Sequence, residues 1–462
     1  MSRRALIGAA AGALAVPSLP LAAPARTEQA REQARAEQTG AEQAGPARAR
    51  PQDASAALLE QWAQAEGAHP LVPDVARAGH RLGARPPRPR VVVKVTDFGA
   101  RADGVTDCAA AGTASRGQRT LSVSGTGRLK AGDLVLLECD NPPDATLLAH
   151  LAGDVPGTRA YDWPARAPQL VTGSGGQYVQ YATLQWPVRV EAVLGDRLVR
   201  LAQPLRYDLR PGWPARLRAL GPTVHDSGVE DLTIRNEPVP MTAHDKHPGS
   251  NGVCFQAVHD CWARNVRVEN CDLGFGFTGA KSVTLTGVAV GGRSAHHSFA
   301  CRMQAHDNLV EDFEIEAFTV PVPAGAVHHG LNLEGLSSGN VWRRGTMAEG
   351  TFDTHRALPF ENVRTDVTLV NNGRVGGSAA SGPLFGARIA HWNVRVTGGD
   401  PYAVTIADVA PRSVTVGVRG VTGTVSGLVP DFAGDLESLL AGHGERPQVA
   451  DLYAAQRAHL RL

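Results

Sequence analysis

Short segments in which apolar and polar residues alternate recur in pairs from about Gly252 to Gly420. The first member of each pair reads NGVCFQA (251–257), DLGFGFTG (272–279), HSFACRM (297–303), HGLNLEG (329–335), TFDTHRA (351–357), GPLFGAR (382–388) and YAVTIAD (402–408). The second reads NVRVEN (265–270), SVTLTGV (282–288), NLVEDFEI (308–315), NVWRRGTM (340–347), NVRTDVTLV (362–370), HWNVRVTG (391–398) and SVTVGVRG (413–420). The two kinds alternate at a period of roughly 20–30 residues, the mark of stacked repeats. Each strand is too short to bury a core alone, and stacked copies make a continuous one. Asn or Ser just before the second strand marks a turn between sheets. The pattern predicts an all-β chain, a single-stranded right-handed parallel β-helix.

Side chains alternate across a strand, so the repeats can be read in phase. On the first strands one phase is apolar: Val253 and Phe255; Phe275 and Phe277; Phe299, Cys301 and Met303; Leu331 and Leu333; then Phe352. That phase faces the core. The other reads Gln256; Gly274, Gly276 and Thr278; Ser298, Ala300, Arg302 and Gln304; Asn332 and Glu334; Asp353 and His355. With rungs about 4.8 Å apart these lie side by side on a solvent-facing wall. Small residues there leave room for a sugar ring, and the polar ones converge beside them. His296-His297 and His328-His329 take the same place on consecutive rungs, just before the strand.

Other segments break the repeat. Residues 113–222 read as an inserted β-rich subdomain, with LKAGDLVLLECD (129–140) and VRVEAVLGDRLVRLAQPL (188–205) as its clearest strands. Leu58, Leu59 and Trp62 give a short amphipathic stretch, expected to cap the open end of the solenoid. Leu452 to Leu460 has helical spacing, predicting a tail that folds back along the solenoid or caps its last rung. The predicted layout is an export signal over 1–25, a linker and N-terminal cap over 26–90, the β-helix over 91–430 and a helical tail over 431–462.

Composition agrees: 51 Gly, 31 Pro and only 5% aromatic residues in 462 suit a thin aliphatic core. A net charge of +1 gives no reason to expect nucleic acid or an anionic membrane as partner, and a monomer is expected. Arg3 and Arg4 precede an apolar run through Val16, and Ala23-Pro24-Ala25 reads as a cleavage site. This predicts a secreted protein exported by a twin-arginine-type signal, with an ordinary secretory signal as the alternative. Six cysteines stand at 108, 139, 254, 261, 271 and 301. An exported chain permits a bridge among Cys254, Cys261 and Cys271. Cys301 reads as a buried thiol, and no cysteine spacing resembles a zinc site.

Residues 95–107, Val-Thr-Asp-Phe-Gly-Ala-Arg-Ala-Asp-Gly-Val-Thr-Asp, resemble the motif that opens the first coil in the pectin-lyase-like β-helix superfamily. The resemblance extends through the repeats over most of residues 91–430. It implies the fold, and a family that includes polysaccharide lyases, glycoside hydrolases, epimerases and phage tailspikes. The subfamily is not implied. The Asn-Thr-Asp, Asp-Asp, Gly-His-Gly and Arg-Ile-Lys of the polygalacturonase branch are missing from the rungs. Gly442-His443-Gly444 lies beyond them, and the Trp-x-Asp-His of calcium pectate lyases is absent.

The leading expectation is a polysaccharide lyase acting on a uronate-containing glycan. Arg302, Arg356 or Arg388 can neutralise the uronate carboxylate. His355 or His329 can take the C5 proton, with Asp353 setting the imidazole tautomer. The chain has only four lysines, so a lysine base is disfavoured. Asn332, His297 and Gln256 are candidate substrate contacts. No cofactor is assigned by the sequence, and Glu334 and Asp353, on adjacent rungs, could hold Ca²⁺ with a water shell. The same pair suits a glycoside hydrolase at about 5 Å or about 6.5–9.5 Å. A non-catalytic glycan binder is the third reading. The plainer alternatives are a surface ion pair for Asp353–His355, turn roles for the histidine pairs, and an Arg302–Glu334 cross-strand pair.

Overall fold

The computed structural model describes residues 53–462 except 66, 88–107, 128, 175–180, 222, 244–245, 374–375, 378, 401–403 and 421–428. The export signal, the low-complexity segment after it and the 95–107 motif lie outside the described residues.

The repeats stack as a parallel β-solenoid. One sheet has five parallel strands: Asn251–Gln256, Leu273–Thr278, His297–Arg302, His329–Glu334 and Phe352–Arg356. The second has eleven, from Gly228–Arg235 and Trp262–Glu269 to Val414–Val416 and Leu439–Ala441. The solenoid thus runs past residue 430, where the sequence reading ends it. Among the described residues, 382–388 and 404–408 form no strand of the first sheet. Phe385, Ile389, Ile406, Val409 and Ala410 instead close a small separate core.

Inside, Phe255 stacks on Phe277 and Phe275 on Phe299, at 6.0 and 5.4 Å between ring centroids. The aliphatic bore becomes polar on later rungs, where Arg364 and His391 are buried against Thr354 and Phe352. Strict alternation fails at one point of each early rung. A Cβ on Gly274 would lie 2.7 Å from core Val290, and one on Gly330 would lie 2.7 Å from core Met347. Both glycines therefore face inward beside an inward Phe275 or Leu331. Leu273, His297 and His329, in register one residue earlier, are turned outward. Met303, assigned to the core by phase, is 52% exposed because Met303 and Gln304 both adopt left-handed turn conformations.

One turn carries a buried ladder. Asn308 donates to Asn340, and Asn340 to Asn362, at 2.8 and 2.9 Å, while each amide also satisfies backbone groups. The terminal helices Ala54–Gln64 and Leu452–Leu460 do not cap an end of the coil. They lie along its side, and Leu58, Trp62, Leu452 and Tyr453 cover the outward apolar column Leu309, Val341, Val363, Ala390 and Val414. Among the described residues no helix is long and apolar enough to cross a membrane.

The inserted segment forms a six-stranded antiparallel sheet between Cys108–Ala110 and Ala215–Ala219, with short helices from Thr146 to Val171. Its apolar core is continuous with Leu336, Ala357, Leu358 and Phe360 of the solenoid. A buried ionic network joins the two, with Glu361 accepting from Arg116, Arg206 and Arg388 at 2.9, 3.0 and 2.6 Å. The expected bridge among Cys254, Cys261 and Cys271 is absent. These three, Cys139 and Cys301 are free thiols.

Candidate active site

The outward side chains of the five-stranded sheet form columns, one residue per rung. One runs Leu273, His297, His329. The next runs Cys254, Gly276, Ala300, Asn332, Asp353, and the third runs Gln256, Thr278, Arg302. The columns converge at the rungs of His297, His329 and Asp353.

Asp353 is the centre. Its Oδ2 accepts from Asn332 Nδ2 at 2.5 Å and contacts Nδ1 of His355 at 3.0 Å and of His329 at 3.1 Å. The His297 ring stacks on His329 at 4.8 Å, and His355 meets His329 edge-on at 4.7 Å. His296 adds a further ring 4.2 Å from His297, and His247 lies 4.4 Å beyond it. Beside the rings, Glu334 is clamped between Arg302 and Arg356, each Nε 2.8 Å from a separate carboxylate oxygen. The Arg302 guanidinium also reaches His297, 3.1 Å from its Nδ1.

The cluster is closed in. Asp353 is 0% exposed, His329 1%, His297 4%, and His355 and Glu334 6%. The solvated wall expected from the phase reading is thus buried here. Gly377 presses on the His355 ring, where an added Cβ would come within 2.5 Å. Tyr181 of the inserted domain packs over Gly335, the residue after Glu334. The solvent-facing part of the wall is the edge at Arg302, whose side chain keeps 30% exposure, and the column Thr278 and Gln256 leading from it.

Electrostatics follow from this enclosure. Burial pushes the Asp353 carboxyl up, but His329 and His355 outweigh it and hold the group well below the carboxylate range. Burial, then Arg302 and the neighbouring rings, depress His297 far below an ordinary imidazole. Burial also lowers His328 to about 4.

The wall brings together Arg302, Glu334, Asp353, His355, His329, Asn332, Arg356 and His297. Two sequence-proposed contacts fall elsewhere. Arg388 sits in a left-handed turn and is bound to Glu361 in the buried network, so it does not face the wall. Gln256 shares the Arg302 column but lies two rungs away. The Ca²⁺ pair is not formed either, because Glu334 spends both oxygens on arginines. His297 and His329 stand within the strands, not before them. Sequence reasoning missed Arg364, whose guanidinium reaches the Asp353 carbonyl from inside the coil at 3.3 Å. In NVRTDVTLV it shares the phase of Asp366 and Thr368, opposite Val363, Val367 and Leu369, so the pattern carried no signal for it.

The chain matches no protein-family model and no curated protein. Among solved structures it is similar to the tailspike protein gp49 of Pseudomonas phage LKA1, at 14% identity and a TM-score of 0.38, over 69% of this chain and 53% of that one. The tailspike gp61 of Pseudomonas phage phi297 gives 12% and 0.30, over 69% and 54%. The catalytic domain of a GH87 alpha-1,3-glucanase in complex with nigerose gives 10% and 0.18, over 74% and 75%. The chain thus spans about half the length of the two tailspike chains. None of these likenesses bears on its chemistry.

Proposed function

We propose that the protein is a secreted carbohydrate-active enzyme that cleaves an acidic polysaccharide by β-elimination at the Arg302 edge of the wall. The glycan lies along the Gln256–Thr278–Arg302 column over the small residues Gly276 and Ala300. Arg302 neutralises the uronate carboxylate, and the histidine–aspartate cluster next to it accepts the C5 proton. Asn332 and His355 fix the Asp353 carboxylate, and Arg356 with Glu334 fixes the position of Arg302.

The carrying observation is that neither carboxyl of the wall is free to act as an acid. Asp353 Oδ2 is surrounded by three nitrogens, and Glu334 is clamped by two guanidiniums. Hydrolysis needs a protonated carboxyl to give its proton to the leaving oxygen. Elimination needs a cation and a base, and both are present. The test is incubation of the full chain with uronate polysaccharides. Ultraviolet absorbance from an unsaturated uronate supports elimination. New reducing ends without that absorbance would indicate hydrolysis, and binding without cleavage would indicate a lectin-like role.

A further inference from the structure

We propose that His297, His329, His355 and Asp353 form the binding site of one divalent transition-metal ion, of which Zn²⁺ is the type. The assignment goes beyond the glycan reading and stands without it. Where that reading holds, the same four residues would hold an ion that supplies Lewis-acid chemistry beside Arg302.

Three observations carry it. First, one ligand atom from each of the four residues falls within 4.8 Å of the other three. Tetrahedral ligands about 2.0–2.1 Å from zinc stand about 3.3 Å apart, so side-chain rotations must bring the widest pair about 1.5 Å closer to close the set. The donors come from three consecutive strands of one sheet, His297–Arg302, His329–Glu334 and Phe352–Arg356, so the backbone holds them rigidly.

Second, the charge is incomplete. Asp353 is fully buried, and among the described residues its only ion-pair partners are the two histidines. Among the described residues, every other carboxylate this deeply buried has a lysine or arginine beside it. Asp307 has Arg206 and Lys281, and Glu361 has three arginines. Asp353 Oδ1 and the adjoining Asn332 Oδ1 are buried acceptors without a hydrogen-bond partner among the described residues. Buried charges are paired or coordinate metals, and here the only ion-pair partners are histidines, which carry charge only when protonated.

Third, the donor set selects the ion. Three imidazoles and one carboxylate, with no thiolate, suit zinc, cobalt, nickel or copper. Calcium wants six to eight oxygens and is excluded by the same count. The nearest arginine, Arg364, lies inside the coil and reaches the Asp353 backbone carbonyl at 3.3 Å, not its carboxylate.

The experiment uses the full, untagged chain, stripped with chelator, loaded with Zn²⁺ or Co²⁺ and gel-filtered. Elemental analysis is expected to find about one ion per chain, and Co²⁺ to give the visible absorption of a nitrogen-ligated site. His297→Ala and the milder Asp353→Asn are each expected to weaken binding at least about tenfold. The stacked pair of exposed His225 and partly buried His259 serves as control, and His225→Ala should bind as the parent does. A folded parent chain that retains no ion overturns the assignment and leaves a shared proton between Asp353 and the histidines. Equal binding by parent and both variants overturns it as well, and the parent result decides alone if the variants do not fold. Metal bound without glycan cleavage sinks the glycan reading only. Cleavage by a chain that never binds an ion sinks the metal site only.

Discussion

Acidification from about pH 7.5 to about pH 5 should weaken the fold through histidines buried in their neutral form. His306 is fully enclosed, with Nε2 on the Gln185 carbonyl and Nδ1 on the Ser338 hydroxyl, both at 2.9 Å, and Lys281 and Arg206 nearby. His391 faces the Val404 carbonyl through Nδ1, and Arg364 at 3.2 Å from Nε2. Burial, reinforced by those cations, lowers both to about 3 from 6.5. Because the unfolded chain binds these protons first, stability is complete above 6.5 and falls as pH drops toward the folded value. At about pH 5 the gap to 6.5 is about 1.5 units, or about 2 kcal/mol for each ring and about 4 kcal/mol for the two. Asp74, Asp366 and Asp431, pushed up by burial, act in the opposite sense, so a variant isolates one ring. Urea midpoints across this range should fall in the parent, and in His306→Gln the fall should be smaller by about 2 kcal/mol. Identical pH dependence in parent and variant would refute the reasoning.

Other outcomes follow from particular contacts. Asn340→Ala removes four amide hydrogen bonds and strips the Asn308 backbone N–H of its acceptor, so the urea midpoint should drop by the equivalent of about 3 kcal/mol. Gly330→Ala places a Cβ 2.7 Å from the Thr351 carbonyl and should destabilise by about 1–3 kcal/mol, read as a lower melting temperature. Arg302→Ala should lower kcat/KM on a uronate polysaccharide about 100-fold while leaving the melting temperature within a few degrees. Reductant should leave stability unchanged, and a thiol reagent should count at least five free thiols in the unreduced, denatured chain.

The repeat was legible because apolar side chains alternate along strands that must share one core, so the period survives without knowledge of the turns. The same reasoning put Arg302 beside Glu334 and Asp353 beside His355, and these pairs stand at 2.8 and 3.0 Å. It could not turn His329 outward, because the inward Gly330 after it resets the phase and looks in sequence like an ordinary small residue, and the buried Ser298 takes the same place after His297. Nor could it see that the cluster is closed. The covering groups, Tyr181 and Gly377, come from distant segments that carry no periodic signal. Arg388 was misplaced for a related reason, since its partner Glu361 is shared with Arg116 and Arg206, more than 150 residues earlier in the chain.

An array of stacked coils ordinarily frays from its ends, one coil at a time. Here the segments that carry the two terminal helices grip each other. Val75 N–H donates to Gln456 at 3.0 Å, Tyr453 to the Ala78 carbonyl at 2.9 Å, and Val449 N–H to Ser55 at 2.9 Å. Lying together across Leu309 to Val414, they lash neighbouring coils like a splint, and neither end can peel away without uncovering the middle. Melting should therefore be one concerted event, and clipping off either helix should convert it into a gradual unravelling.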